Sequence, residues 1–177
     1  MKRLPNLDEL SRAFSQRAGV TEISVEEFLE VQRAATEGQA RLLLLDVRTP
    51  AEQNVSTLPA SIWVHPNAYP EQVEQLKDFA ERSRSPKLPT WIVAYCAAGY
   101  RSARFLARGG ERFCGPPCYN LRGGIIAYAG AGGRLLEAGG ADTMLVHGYN
   151  ADWARFVTSP AIAVIEPPPE PQSGGKF

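Results

Sequence analysis

Two short segments of the chain are apolar almost without interruption, residues 42–47 (Leu-Leu-Leu-Leu-Asp-Val) and 91–95 (Trp-Ile-Val-Ala-Tyr). Neither alternates polar with apolar positions, which is what a strand buried on both faces of a parallel sheet requires. Helical spacing surrounds them. Ser24 and Glu27 form a capping box, with Ile23 and Phe28 in the places of a hydrophobic staple, and predict a helix that stops by Gly38. Asn6 and Glu9, followed by Leu7, Leu10 and Phe14 at helical intervals and closed by Gly19, predict a shorter helix before it. Further strands are expected ending at Ile23, over 60–64 and over 119–121. Pro66 and Pro70 lead into a helix carrying Val73, Leu76 and Phe79 or Ala80 inward, closed by Pro86 and Pro89. From Ser102 the period becomes helical, with Ala103, Leu106 and Ala107 on one face and Arg104 and Arg108 on another. Gly109-Gly110 is expected to fray or break that helix, and Gly123-Gly124 to make a tight passage into the next.

Strands alternating with helices predict an α/β fold, a mostly parallel central sheet with helices on both faces and short N- and C-terminal extensions. The expected organisation is a helical extension over 1–20, one domain over 21–158, and a Pro/Gly-rich tail over 159–177 that has too little to bury and is expected to be disordered. Trp153 and Phe156 are read as packing back onto the domain rather than as a cofactor platform.

Composition adds exclusions. With 177 residues, 44% hydrophobic, 21% charged and a formal net charge of zero, the chain is long enough for a substantial core and carries no electrostatic footprint for nucleic acid or an anionic membrane. No apolar run is long enough to span a bilayer, and the N-terminus turns acidic at Asp8 and Glu9 before any apolar stretch of a secretory signal, so a cytoplasmic location is expected. Cys114 and Cys118 have three residues between them, one too many for a redox Cys-x-x-Cys, and lack further ligands for zinc, so they are expected to be incidental turn and strand cysteines. Residues 130–140 are glycine-rich but lack the strand-turn-helix setting of a nucleotide fingerprint. His65 and His147 are too isolated to read as ligands, and neither a metal nor a cofactor is expected.

The chemistry concentrates where the second apolar segment ends, at Cys96-Ala97-Ala98-Gly99-Tyr100-Arg101-Ser102. A cysteine there sits at the carboxyl end of a strand and faces a helix N-terminus, whose unpaired N–H groups and partial positive charge favour the thiolate. Taken alone, a cysteine at a strand end is more often a small hydrophobe. Gly99 and Arg101 reverse that judgement, because a cation at a helix start opposes the dipole unless an anion lies between.

This loop, opening on Cys96 and closing on Arg101, resembles that of the rhodanese-like sulfurtransferases. So do Asp46-Val47-Arg48 with Glu52 and Leu58-Pro59, and the run from Asn120 to Ile125 with Ala127-Tyr128; together the likeness covers roughly 21–133. Where the family frequently has a histidine, this chain has Thr57. The resemblance implies a persulfide on Cys96, formed from an anionic donor such as thiosulfate or a persulfide and passed to a thiol or cyanide, or to a protein acceptor. Ala97, Ala98, Gly99, Tyr100, Arg101 and Ser102 would bind the anion through loop amides and the guanidinium. Asp46, Arg48 and Glu52 are read as supporting residues, an ion pair that shapes the loop with Glu52 as a partner of Arg48. Two rivals stand beside this reading. One is a non-catalytic or partner-specific sulfur carrier or sensor, against which the retained Cys96 argues. The other is a phosphatase or arsenate reductase of related architecture, whose loop places five residues between cysteine and arginine where this one places four.

Overall fold

A computed structural model describes residues 5–65, 87–114 and 118–165, with Glu74, Asp78, Glu81 and Arg82 besides, and gives backbone only over 110–114. The helix expected between Pro66 and Pro89 lies largely outside the described residues. Five strands, β1 (Glu22–Ile23), β2 (Arg41–Asp46), β3 (Ser61–Trp63), β4 (Thr90–Tyr95) and β5 (Cys118–Leu121), form one sheet in the order β1-β5-β4-β2-β3, every neighbour parallel. The two apolar segments read from the sequence are the adjacent strands β2 and β4, in register from Arg41 opposite Thr90 to Asp46 opposite Tyr95.

Side chains alternate across these strands, and each face has its own core. Leu44, Val93 and Tyr95 face Phe28, Leu121, Ile125 and Tyr128 on one side. Leu43, Leu45, Ile92, Ala94 and Cys96 face Val64, Phe105 and Leu106 on the other. Strand parity therefore sends Cys96 toward the helix that follows it. The α/β architecture with its parallel central sheet is the one expected.

The helices start where their caps say they should. In α1 (Leu7–Ala18) the Glu9 N–H donates to Asn6 Oδ1 at 2.9 Å and the Asn6 N–H to Glu9 Oε2 at 3.0 Å, and Gly19 ends the helix in the left-handed conformation. Ser24 and Glu27 make the same reciprocal pair for α2 (Val25–Thr36). A third box, Thr49 with Glu52, starts α3 (Pro50–Val55), a helix the sequence reading does not contain. The helix after the loop, α4, runs Tyr100–Cys114 straight through Gly109-Gly110. Ala103, Phe105 and Leu106 are already buried before those glycines, and a cost of about 1 kcal/mol per glycine does not outweigh that anchorage.

After α5 (Gly124–Gly130) come an antiparallel pair, β6 (Leu135–Leu136) with β7 (Asp142–Thr143), then β8 (Leu145–His147), α6 (Ala151–Ala154) and β9 (Ile162–Val164). β9 corrects the expectation of a disordered tail from 159: residues 162–164 pair in parallel with 145–147. The three residues are β-branched or small, which suits an added strand. Trp153 and Phe156 pack against the first core, as expected.

Candidate active site

Cys96 follows β4 directly, and three loop residues separate it from α4. Gly99 has φ +94°, a conformation a side chain would strain, and a Cβ there would also run into Ser11 Oγ. That turn brings the Gly99 N–H to 3.2 Å from Cys96 Sγ, and in the first turn of the helix the Ser102 hydroxyl oxygen lies 3.5 Å away. Cys96, Ala97 and Ala98 are buried, the sulfur-bearing residue being 1% exposed, while Tyr100 is half exposed. A second pair of backbone bonds fixes the loop from below, the Ile125 N–H donating to the Cys96 carbonyl at 2.9 Å and the Ile126 N–H to that of Ala97 at 3.2 Å. Gly124, at φ +56°, must lack a Cβ for those carbonyls to come so close.

Arg101 does not point alone at the loop centre. Its two terminal nitrogens each donate to a carboxylate oxygen of Glu52 at 2.7 Å, and its guanidinium carbon stands 4.8 Å from the centre of the Tyr149 ring. Glu52 thus hydrogen-bonds Arg101, not Arg48 as the resemblance implied; the helix α3 turns its carboxylate toward the loop. Its Oε2 also accepts the Thr49 N–H and hydroxyl, each at 3.0 Å. Burial pushes the Glu52 pKa up, but the hydrogen bonds and charge of Arg101 and the Thr49 N–H outweigh it and hold the carboxyl below its ordinary range. Burial likewise opposes the charge on Arg101, and Glu52 and the Cys96 sulfur together keep it protonated.

Asp46 and Arg48 pair with each other, as the ion-pair reading has it. The Arg48 Nε donates to Asp46 Oδ1 at 2.9 Å, its Nη2 to Oδ2 at 2.7 Å and to the Ser56 carbonyl at 2.7 Å. The Tyr95 hydroxyl donates to Asp46 Oδ2 at 2.7 Å and accepts the Leu58 N–H at 3.2 Å. Burial, then the negative charge of Asp46, raises the Tyr95 pKa well above the usual phenol range. This cluster ties the corner after β2 to the end of β4, one residue before Cys96, and is sealed from solvent. Thr57, the departure from the resembled pattern, exchanges two backbone hydrogen bonds with Leu136 at 2.8 and 2.9 Å.

Sequence reasoning passed over several residues here. Asn120 is fully buried in β5, and its side chain reaches Gly99, Ser15 and Ser102. His147 is buried beside Glu52, Arg48 and Arg101; its Nδ1 accepts the Tyr149 N–H at 3.0 Å, and burial lowers its pKa below 6.5, so the ring is neutral at pH 7. Cys118 is disulfide-bonded, whereas the spacing argument expects no role for it; excluding a redox motif and a zinc site does not exclude a structural bridge. Cys96 is free. Among the described residues no cluster of His, Cys, Asp and Glu could hold a metal ion, and no helix is long and apolar enough to cross a membrane.

A rhodanese-like domain model matches residues 28–131, more than half of the chain, and the chain belongs to that family. The fold is similar to that of a thiosulfate sulfurtransferase from Pseudomonas aeruginosa, at 21% identity and a TM-score of 0.52, with 85% of this chain aligned to 26% of the other. A rhodanese-related protein from Thermoplasma volcanium aligns with 66% of this chain and 97% of its own, at 21% identity and a TM-score of 0.44. An As/Sb reductase from Leishmania major aligns at 21% identity over 62% of this chain and 76% of its own, at a TM-score of 0.44. Among curated proteins no sequence matches.

Proposed function

We propose that this protein is a sulfurtransferase that takes a sulfane sulfur from an anionic donor, thiosulfate or a persulfide, and passes it to a thiol or cyanide through a persulfide on Cys96. The observation that carries the reading is the placement of the Cys96 sulfur at a strand end and before a fifteen-residue helix, with the Gly99 N–H 3.2 Å away. In the first step the Cys96 thiolate attacks the outer sulfur of thiosulfate; the S–S bond breaks and its electron pair leaves with sulfite. In the second, the acceptor's lone pair attacks the outer sulfur of the Cys96 persulfide, and the electron pair of that S–S bond returns to Cys96 as thiolate. Loop amides stabilise the negative sulfur in each state without a titrating base. Four residues between Cys96 and Arg101 favour this chemistry over phosphoryl or arsenate chemistry.

Cys96→Ser tests the reading. Thiocyanate formation from thiosulfate and cyanide is expected to vanish while the folded variant keeps the parent's thermal midpoint. Undiminished turnover in that variant, or Cys96-dependent hydrolysis of an aryl phosphate, would overturn it. Arg101 is assigned to donor binding as half of an ion pair, so its contribution to donor KM is smaller than that of a lone guanidinium.

A further inference from the structure

Asn120 joins the nucleophile to a helix outside the matched domain. Its Nδ2 donates to the Gly99 carbonyl and to Ser15 Oγ, both at 3.0 Å, and its Oδ1 accepts the Ser102 hydroxyl at 2.6 Å. Ser15 belongs to α1, which precedes residues 28–131. An amide nitrogen with two acceptors cannot exchange places with its oxygen without setting oxygen against oxygen, so the orientation of Asn120 is fixed. Gly99 and Ser102 are the two residues whose N–H and hydroxyl lie 3.2 and 3.5 Å from Cys96 Sγ. One side chain therefore holds the Ser102 hydroxyl directly and Gly99 through its carbonyl. α1 is itself held at this place. Ser11 accepts the Gly123 N–H at 2.8 Å, and Phe14 packs edge-on against Tyr100, 5.1 Å between ring centres. Ser11 and Ser15 are both buried.

We propose that Asn120 is a positioning residue for sulfur transfer and that α1, through Ser15, is part of the active site; this rests on the reading of Cys96 as the persulfide carrier. Ser102 has one hydroxyl hydrogen, and at 2.6 Å it goes to Asn120 Oδ1, which leaves a lone pair toward a protonated or sulfur-bonded Cys96. When the acceptor attacks the outer sulfur, the S–S electron pair returns to Sγ, and Ser102 turns its hydrogen from Asn120 to the new thiolate. The Gly99 N–H strengthens at the same moment. No proton is transferred; one hydrogen bond is exchanged for a charge-assisted one.

The test is Ser15→Ala and Asn120→Asp, singly and together, with Arg12→Ala on the exposed face of α1 as control. Two readouts are followed: steady-state kcat and KM for thiosulfate with cyanide, and the rate of iodoacetamide alkylation of Cys96 at neutral pH by peptide mass spectrometry. Asn120→Asp is expected to lower kcat and alkylation about tenfold or more and Ser15→Ala about threefold, the scale of one or two lost hydrogen bonds. KM for thiosulfate stays within about twofold, and Ser15→Ala has no further effect once Asn120 is changed, because it acts through that amide. Arg12→Ala leaves both readouts unchanged. If Asn120→Asp does not fold, Ser15→Ala against Arg12→Ala carries the same comparison. Independent multiplying effects, or a lowered thermal midpoint with unchanged alkylation in both variants, overturn the proposal. If the alkylation pattern is as expected while the parent protein forms no thiocyanate, sulfur transfer fails as the reaction and Asn120 stands as the residue that positions a reactive cysteine.

Discussion

Arg48 and Arg101 each donate to a carboxylate oxygen at 2.7 Å, but the side chains of Arg48 and Asp46 are 0% and 1% exposed, whereas Arg101 is 21% exposed above a Glu52 that is 2% exposed. The first pair is sealed between β2, the Tyr95 hydroxyl and the Ser56 carbonyl, and every contact it makes is to the protein's own chain. The second has one partner in the interior and one side toward solvent and Tyr149. The same two functional groups thus fix a corner in one place and hold a cation beside the Cys96 loop in the other. What separates them is access. A sealed pair contributes by not being broken, while a pair at a rim keeps one side open to solvent.

Breaking the sealed pair is expected to have the largest effect. Asp46→Ala leaves Arg48 charged and buried without its carboxylate, and removal of one partner of such a pair costs about 3–5 kcal/mol. Urea unfolding should show that loss, and a value under about 1 kcal/mol would mean that the corner is not held by this pair. At the rim, Glu52→Gln should cost less, about 1–3 kcal/mol for the charged hydrogen bonds it weakens. Because it leaves Arg101 uncompensated beside the loop, KM for thiosulfate should fall, while Arg101→Ala raises it. Equal KM values in the two variants would show that the rim pair does not meet the donor.

Acid should act on two neighbouring groups around the rim pair in order. The His147 pKa is lowered from 6.5 by burial, so its contribution to stability is present above about 6.5 and is lost as pH falls through its lower folded value. The Glu52 pKa is lowered from 4.5, so its contribution is present above 4.5 and is lost below that, as pH falls through the folded value. Unfolding free energy measured against pH should therefore decline first through His147. Glu52→Gln should flatten only the limb below about 4.5, and flattening near neutrality would contradict the assignment. The smallest effect is expected at Arg104, which reaches the Tyr100 hydroxyl at 3.3 Å on an exposed face. Arg104→Ala should change stability by no more than about 0.5 kcal/mol and KM for thiosulfate less than Arg101→Ala does.

The sheet was legible in the sequence because β2 and β4 are buried on both faces and carry no polar alternation to confuse with a surface strand. The capped starts of α1 and α2 were legible for the same kind of reason, since a reciprocal side-chain and backbone pair leaves an S/T/N-x-x-E trace. α3 carries that trace as well, Thr49 and Glu52 around Pro50, but Glu52 had been assigned wholly to charge pairing with Arg48. One carboxylate in fact caps a helix and binds Arg101. The cysteine loop could be placed because strand end, glycine and arginine are contiguous. Ser15 and His147 could not, because they meet Cys96 and Arg101 only through the packing of α1, β5 and β8, and neither stands in a local pattern; Asn120 opens a run that resembles the family, but nothing in that run points to its bonds with Gly99, Ser15 and Ser102. β9 was missed because three residues before a proline-rich segment give too short a run to tell from a tail.

The central claim is that Cys96 carries the transferred sulfur. Protein reduced and freed of bound sulfur, then treated with thiosulfate, should gain one sulfur atom in its intact mass, mapped by peptide mass spectrometry to Cys96 and removed by cyanide as thiocyanate. No added sulfur on Cys96, or an added sulfur that cyanide leaves in place, would contradict the account.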